Sequence, residues 1–372
     1  MILDISDSEF KDILNDVKLF LPIRWDGNSF PDTLEKLFNL YIKRLETLPN
    51  CTKQSCFTIR VDMERIKRVT GLLLKTITHY LNGFPAKSFA VFETAMQLLS
   101  QTPLRVYQKS VFEMFDDSNS YNLNLFRAVK VGDNKPYPRC RVFHTPYNLR
   151  SKVSTNRYSI AGYPSLYLGT SLELCCKEIN VDPNKELTIA SLFKLERSIE
   201  YTDTNVRVIE LGLKPQDFLN LRNNNETHRR YISNDLIKDC NVRSAFLLWY
   251  PLIAACSFIR TNKSDPFAAE YIMPQLLMQW VRSEIDKSGY DDYDQLIGIR
   301  YFSCASVRAS NMGFNYVFPT SGQQLSSELP FCSVLSRVFR LTNPVYLHEY
   351  DNIYNCEWDL SQSKDIDYII ST

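Results

Sequence analysis

NRYSIAGYPSLYLGTSLELCCKEI, residues 156–179, contains the signals of a turn, a strand and a helix in immediate succession. Gly162 and Pro164 mark the turn, and the run at residues 165–169 is typical of a short β-strand. The segment that follows predicts a short helix that carries Glu178. A strand that leads directly into a helix indicates a domain in which both kinds of element are interleaved.

Similar short runs occur on both sides of this stretch. They are NLFRAV (124–129), LTIASLFKL (187–195), VRVIEL (206–211), GIRYFS (298–303) and FNYVFP (314–319). Helical stretches fall between them, including PQLLMQWVRSEI (274–285). We therefore predict an α+β domain over residues 116–345, followed by a C-terminal extension over residues 346–372.

The first part of the chain has the pattern of an all-helical domain, which we place at residues 1–115. Amphipathic helices are predicted over residues 7–21, 31–48, 62–82 and 87–100. Asp62 is a suitable N-cap for the third helix, and Asn82-Gly83 is a C-terminal signal.

The composition is that of a globular chain without a strong charge bias. Among 372 residues, 44% are hydrophobic and 23% are charged, which excludes disordered, collagen-like and fibrous classes. Lysine and arginine number 43 against 42 aspartates and glutamates, giving a net charge of +1. A chain so close to neutrality lacks the field that holds polyanions, so the sequence predicts no general binding of nucleic acid.

The ten cysteines are scattered without a CxxC pair, and the four histidines stand far from any clustered cysteines. This arrangement predicts reduced core cysteines in a cytoplasmic protein, and no metal site. The N-terminal segment lacks the basic-then-apolar order of a signal peptide. Residues 245–259 are the longest apolar stretch, but they are too few to span a bilayer and include Pro251. We predict that they form buried core and that the protein does not enter a membrane.

The chain contains neither of the Gly-rich phosphate-binding loops and no GxSxG elbow. The stretch 156–179 instead holds Arg157, Tyr167 and Glu178, residue types that suit cleavage of a glycosidic bond. A carboxylate stabilises a ribose oxocarbenium ion, an arginine binds a diphosphate, and a tyrosine packs on a flat ring. From spacing alone, the alternative stays open that Arg157 makes a surface ion pair and that Tyr167 is core.

Ordered segments over residues 121–320 give the chain a resemblance to the RES-domain family, named for an arginine, a glutamate and a serine. LYLGTSLELCCKE (166–178) resembles the family's LYLA-x5-TALAE segment, and NLFRAV with Arg127 resembles its opening LYRA strand. Arg157-Tyr158 resembles its second arginine and the aromatic after it, with SIAG where the family usually has NPPG. The later segments of the family are similar to VRVIEL, YIMPQLLMQWV (271–281), GIRYFS with Ser303, and NYVFP (315–319).

The resemblance implies a fold related to ADP-ribosyltransferases and NAD as the substrate. RES toxins destroy NAD, some as phosphorylases that use inorganic phosphate and others by transferring ADP-ribose to a protein. By resemblance, Arg127 and Arg157 bind the diphosphate and ribose side of NAD, and Ser303 hydrogen-bonds within the nicotinamide site. Tyr167 packs on nicotinamide or its ribose, and Glu178 stabilises the oxocarbenium ion or orients the nucleophile. Glu178, Arg157 and Tyr167 are thus the expected catalytic residues, while Tyr158 is either a cofactor contact or core.

Two departures from the family pattern bear on the loops and on the choice of acceptor. Phe302 replaces the proline before the serine, and SIAG lacks both prolines of NPPG. The acceptor of ADP-ribose therefore stays open among phosphate, water and a protein side chain. The alternative to an enzyme is a degenerate domain that senses NAD or ADP-ribose without turnover. The presence of Glu178 argues against this alternative.

The remaining expectations concern the whole chain. Residues 1–115 carry no catalytic set, so we expect them to regulate the NAD chemistry, bind a partner or dimerise, and to be dispensable for the chemistry itself. A toxin or phage-defence effector held by an antitoxin or regulatory protein suits this layout by analogy. The sequence leaves a homo-oligomeric state open.

Overall fold

The chain folds into two compact units whose residues alternate along the sequence. Unit 1 comprises residues 1–106, 210–225 and 232–277, and unit 2 comprises residues 107–209, 226–231 and 278–372. The computed structural model describes residues 2–47, 58–102, 124–195, 207–219, 237–262, 264–288, 296–321, 330–349, 356 and 358.

This division differs from the contiguous domains expected from the sequence. Residues 210–225 and 232–277, which the sequence analysis placed in the second domain, cluster with the N-terminal residues. A boundary inferred from a change in local pattern cannot detect a chain that returns to an earlier unit. The predicted change of character lies within residues 103–123, outside the described residues.

The described elements are named here in chain order. The helices are α1 (Asp7–Leu14), α2 (Phe30–Glu46), α3 (Met63–Leu81), α4 (Pro85–Ser100), α5 (Leu172–Glu178), α6 (Pro215–Phe218), α7 (Cys240–Ala255), α8 (Ile272–Ser288) and α9 (Ser333–Val338). The strands are β1 (Ile2–Ile5), β2 (Ile23–Arg24), β3 (Ile59–Asp62), β4 (Leu125–Lys130), β5 (Ser165–Gly169), β6 (Thr188–Leu195), β7 (Arg207–Leu211), β8 (Phe258–Ile259), β9 (Leu296–Phe302), β10 (Phe314–Pro319), β11 (Phe339–Leu341) and β12 (Val345–Tyr346).

Capping residues define the ends of α3 and the start of α1 in unit 1. Asp62 caps α3, its side chain accepting the Arg65 backbone N–H, as the sequence predicted. The helix ends at Leu81 with Asn82 as its C-cap, and Gly83 follows with a φ of 81°, a conformation that costs glycine little. Ser6 and Glu9 form a capping box at the start of α1, which is shorter than the predicted helix 7–21.

Unit 1 also contains strands, so the expectation of an all-helical start is wrong. β1 pairs antiparallel with β3, Ile2 opposite Asp62, and β2 pairs parallel with β8, Ile23 opposite Phe258. Each strand is two to four residues long, and each partner lies more than fifty residues away. Strands this short carry little local signal, because pairing with a distant segment, and not their own pattern, stabilises them.

α7 forms the buried core predicted for residues 245–259. Every side chain from Ala245 to Ala255 is buried, which is expected of a segment that is apolar on every face. Two tyrosine hydroxyls satisfy backbone carbonyls around it: Tyr41 donates to Leu247 O at 2.6 Å and Tyr250 donates to Leu19 O at 2.9 Å. Among the described residues, no helix is long and apolar enough to cross a membrane.

Unit 2 is built on an eight-stranded sheet that contains the six strands predicted from the sequence together with β11 and β12. The strand order is β11-β6-β4-β5-β10-β9-β7, and β12 also pairs with β6. α5 packs on β4 and β5, where Leu172, Cys175 and Cys176 join Ala128 in a buried apolar cluster. The chain is therefore an α+β protein, as predicted.

The two halves of this sheet meet along a short seam between β4 and β5. β4 is paired with β6 over six residues and β5 with β10 over five, but Phe126 opposite Gly169 is the single pair between β4 and β5 in the described part of the chain. Arg127 follows Phe126 on β4, and Tyr167 lies two residues before Gly169 on β5, so both residues are close to this pair in sequence.

Candidate active site

α5 is fixed at its start, so that its end, which carries Glu178, has a defined position. Ser171 caps the helix by accepting the Leu174 N–H at 3.2 Å and donates its own hydroxyl to Met312 O. The preceding Thr170 donates its backbone N–H to Phe314 O and accepts the Phe314 N–H at its hydroxyl. These bonds attach the helix to the beginning of β10.

The helix stops at Glu178 because of the residues that follow it. Asn180 has a φ of 53°, and its N–H bonds to Lys177 O while the Val181 N–H bonds to Cys176 O. This pair of bonds is the Schellman arrangement, in which asparagine is a common substitute for glycine. Glu178 thus occupies the last helical position, where the negative end of the helix dipole disfavours a carboxylate.

A side chain from β10 compensates the Glu178 carboxylate. The side-chain amide of Asn315 donates to Glu178 Oε1 at 2.6 Å. Asn315 is buried, whereas Glu178 is exposed, so the carboxylate has one anchored oxygen and an accessible face. This combination suits a group that must meet a ligand in a fixed orientation.

Tyr301 on β9 lies beside the same carboxylate. It pairs with Asn315 in the sheet register, and its ring centroid is 4.5 Å from that of Tyr158. Burial raises the pKa of Tyr301 well above its usual value, and the negative charge of Glu178 raises it further. The positive charge of Arg157 acts in the opposite direction. Tyr301 is therefore protonated at neutral pH and can donate a hydrogen bond.

A tight turn brings Arg157 and Tyr158 to this cluster. Asn156 and Ser159 exchange backbone hydrogen bonds at 2.9 and 3.2 Å, which leaves Arg157 and Tyr158 at the tip. Tyr158 is buried and Arg157 is half-buried. The turn is also attached to β5, because the hydroxyls of Ser159 and Tyr167 are 2.6 Å apart.

Arg127 lies on β4, next to the residue that pairs with β5. Burial lowers the pKa of its guanidinium to about 10; the charges of Cys175 and Tyr167 oppose this shift, and the positive charge of Arg141 adds to it. Its Nη1 atom is buried and has no hydrogen-bond partner among the described residues. A buried guanidinium nitrogen without a partner is costly. An anion bound next to Arg127 would supply the missing acceptor.

Ser303, the remaining predicted site residue, lies two residues after Tyr301 and has a described hydrogen bond within its own loop. It follows β9, is fully buried, and its hydroxyl oxygen accepts the Ala305 N–H at 3.2 Å. This is the turn-stabilising role common for serine after a strand. A contact between Ser303 and nicotinamide stays a prediction.

The cysteines of α5 differ chemically from the charged residues around them. Burial raises the pKa of the Cys175 thiol far above its usual range and that of Cys176 to about 11. Both are therefore thiols at neutral pH, consistent with packing rather than nucleophilic roles. Within the described ranges, no group of three or more His, Cys, Asp or Glu side chains is placed to hold a metal ion.

Sequence reasoning missed two members of the cluster, Asn315 and Tyr301. Tyr301 was within GIRYFS, a segment singled out for its serine, and a tyrosine one residue before the end of a strand was the available signal. Asn315 had no local signal, because its partner Glu178 is 137 residues away. The sheet register that joins β5, β10 and β9 is what brings both residues to Glu178.

Comparison with known proteins gives one informative similarity. The chain is 28% identical over 335 residues to a Bacillus subtilis (strain 168) protein named "Putative toxin YopC", a match that covers 88% of this chain and 68% of that protein. Coverage this wide includes much of both units. No protein-family model matches the chain, and no solved structure matches it.

Proposed function

We propose that this protein is a toxin that consumes NAD by cleaving the bond between nicotinamide and ribose. The observation that carries the proposal is the convergence of Glu178, Arg157 and Tyr167 around Tyr301. The name of the B. subtilis relative supports the toxin part of the proposal. The resemblance of the strand and helix segments to RES domains supports the NAD part.

The chemistry proposed for the cluster follows from its charges. When the bond between the anomeric carbon and the nicotinamide nitrogen breaks, the nitrogen keeps the electron pair and nicotinamide leaves neutral. Positive charge then develops on the ribose, where the accessible face of the Glu178 carboxylate stabilises it. A phosphate oxygen, water or a protein side chain then bonds to the anomeric carbon and completes the reaction.

The arginines and tyrosines have binding roles in this proposal. Arg127 and Arg157 bind the NAD diphosphate, a ligand whose oxygens match guanidinium donors. Tyr167, whose hydroxyl is held by Ser159 at 2.6 Å, presents its ring to nicotinamide or the adjacent ribose. A toxin that destroys NAD needs control in its own cell, so we also propose an antitoxin or regulatory protein partner.

The test is incubation of the purified full chain with NAD, with and without inorganic phosphate, and identification of the products by mass spectrometry. We expect free nicotinamide, together with ADP-ribose phosphate in the phosphate-containing sample if phosphate is the acceptor. Glu178→Gln should lower the rate by about 10²–10³. Glu173→Gln, in the first turn of the same helix, is the matched control and should retain activity.

The products also separate the alternatives. ADP-ribose attached to the protein itself or to an added protein would identify a transferase. A folded wild-type protein that binds NAD and releases no nicotinamide would contradict the proposal and favour a sensing module.

A further inference from the structure

We propose that Asn315 is a positioning residue that holds the Glu178 carboxylate in the orientation required for glycosidic bond cleavage. This inference rests on the proposed function and deepens it. The geometry on which it depends is the 2.6 Å hydrogen bond from the Asn315 amide to Glu178 Oε1.

Glu178 cannot hold this orientation by itself. It is exposed and is the last residue of α5, so its side chain has rotational freedom and faces the negative end of the helix dipole. Neither effect favours a carboxylate fixed at one place. A hydrogen-bond donor from outside α5 is therefore needed to fix the Glu178 carboxylate.

Asn315 is rigid enough to be that donor. β10 is bonded on both sides, with Asn315 opposite Gly169 of β5 and opposite Tyr301 of β9. Its side chain is buried, and a carboxylate acceptor requires that the amide nitrogen, not the oxygen, face Glu178. The amide orientation is thereby fixed.

Gly169 provides the space for this arrangement. A Cβ at Gly169 would lie 2.8 Å from Cys175 Sγ and 3.6 Å from Asn315 Oδ1. The absent side chain allows α5 to lie close against the sheet at this point. Glu178, one turn further along α5, is consequently within reach of Asn315.

The charge of Glu178 acts on neighbouring titratable groups. The charge of Glu178 affects Cys175 on its own helix and Tyr301 on β9, and Arg157 affects Tyr301 from the neighbouring turn. Cys175 and Tyr301 both have pKa values raised by burial, so both are neutral near pH 7. The hydrogen bond from Asn315 is therefore the interaction whose removal should change Glu178 most directly.

The experiment compares Asn315→Ala and Asn315→Asp with the wild type in steady-state NAD cleavage from pH 5 to pH 8. Asn315→Ala removes the donor, and we expect kcat to fall about 10- to 100-fold, the value of a hydrogen bond to a charged group, with little change in KM. Asn184→Asp is the matched control, because Asn184 is an exposed asparagine of the same unit. It should behave as the wild type.

Asn315→Asp distinguishes positioning from a merely structural role. At low pH the new carboxyl keeps a proton and donates it to Glu178, as the amide does, so kcat should approach the wild-type value. As the pH rises the pair loses that proton, and two adjacent carboxylates repel each other. The kcat of this variant should therefore fall with rising pH over a range in which the wild-type kcat is constant.

Three results would overturn the inference. One is an Asn315→Ala variant with wild-type kcat, and another is an Asn315→Asp variant equally impaired at every pH. The third is a wild type that releases no nicotinamide, which overturns the proposed function as well, whereas the first two overturn this inference alone. Melting temperatures and NAD titrations of each variant show whether the fold and the binding site are intact.

Discussion

Glu178 and Arg157 belong to one cluster but should act at different stages of the reaction. The Glu178 carboxylate acts on charge that develops in the transition state, whereas the Arg157 guanidinium contacts a diphosphate that is charged from the start. We expect Glu178→Gln to bind NAD almost normally and to be nearly inactive, and Arg157→Ala to bind NAD poorly and to have a raised KM.

Calorimetric titration of both variants with NAD measures this difference. Arg150→Ala is the control, because Arg150 is exposed and its guanidinium lies 4.9 Å from the Tyr147 ring centroid, away from the cluster. Loss of binding in Glu178→Gln with normal binding in Arg157→Ala would show that the two roles have been assigned wrongly.

At the scale of single residues, the sequence predicted those site residues that lie within recognisable segments. Arg157, Tyr158, Tyr167 and Glu178 fall within one stretch of 24 residues, where strand and helix signals are local. Asn315 and the hydroxyl pair of Ser159 and Tyr167 depend on tertiary contacts, which no local pattern reports.

At the scale of elements, the beginning of α9 depends on a histidine from another part of unit 2. His144 is fully buried; its Nε2 accepts the Cys332 N–H at 2.8 Å, and its Nδ1 lies 2.9 Å from Thr145 O. The ring is therefore neutral, with its proton on Nδ1. Burial lowers the pKa of His144 from 6.5 to about 4.

This pKa shift predicts a loss of stability in acid. The unfolded chain binds a proton at His144 near pH 6.5 and the folded protein does so only near pH 4, so the free energy of unfolding falls as the pH is lowered through that window. The full effect is about 3 kcal/mol. Urea unfolding at pH 7 and pH 4.5 should show the loss in the wild type and a smaller loss in His144→Gln.

His348→Gln is the control for this measurement, since His348 is exposed. Its stability should depend on pH as that of the wild type does. A His144→Gln variant with an undiminished pH dependence would assign the acid sensitivity to other groups.

Helices and strands were predictable where the hydrophobic pattern of the segment itself indicates the element. The six strand segments and α2, α3 and α4 are present near their predicted positions. β1, β2 and β3 were missed because each consists of a few residues that pair only with a distant segment.

At the scale of the whole molecule, the alternation of units changes what a truncation should do. The sequence led us to expect that residues 1–115 are dispensable, but α7 packs within unit 1 against elements from that region. Tyr41 and Leu19 are among its hydrogen-bond partners, and the Trp249 indole donates to Thr102 O at 2.8 Å. Deletion of residues 1–115 would expose an apolar helix.

We therefore expect the chain 116–372 to be insoluble when expressed alone. Co-expression of residues 1–115 as a separate polypeptide should restore soluble protein, because it supplies the missing partners of α7. Soluble yield and far-ultraviolet circular dichroism measure both outcomes. A soluble, folded 116–372 fragment would contradict this prediction, because it would show that α7 is buried without residues 1–115.

The seam between β4 and β5 has a consequence for the energetics of binding. With one residue pair between them in the described part of the sheet, the β4 side and the β5 side are two ribbons joined at Phe126 and Gly169 and by α5, which packs on both strands. A ligand that touches Arg127 on one ribbon and Tyr167 on the other adds a further connection. Part of the binding free energy of the ligand is then a coupling free energy between the ribbons. Because this coupling is reciprocal, any change that aligns the two ribbons in the free protein tightens the binding of that ligand.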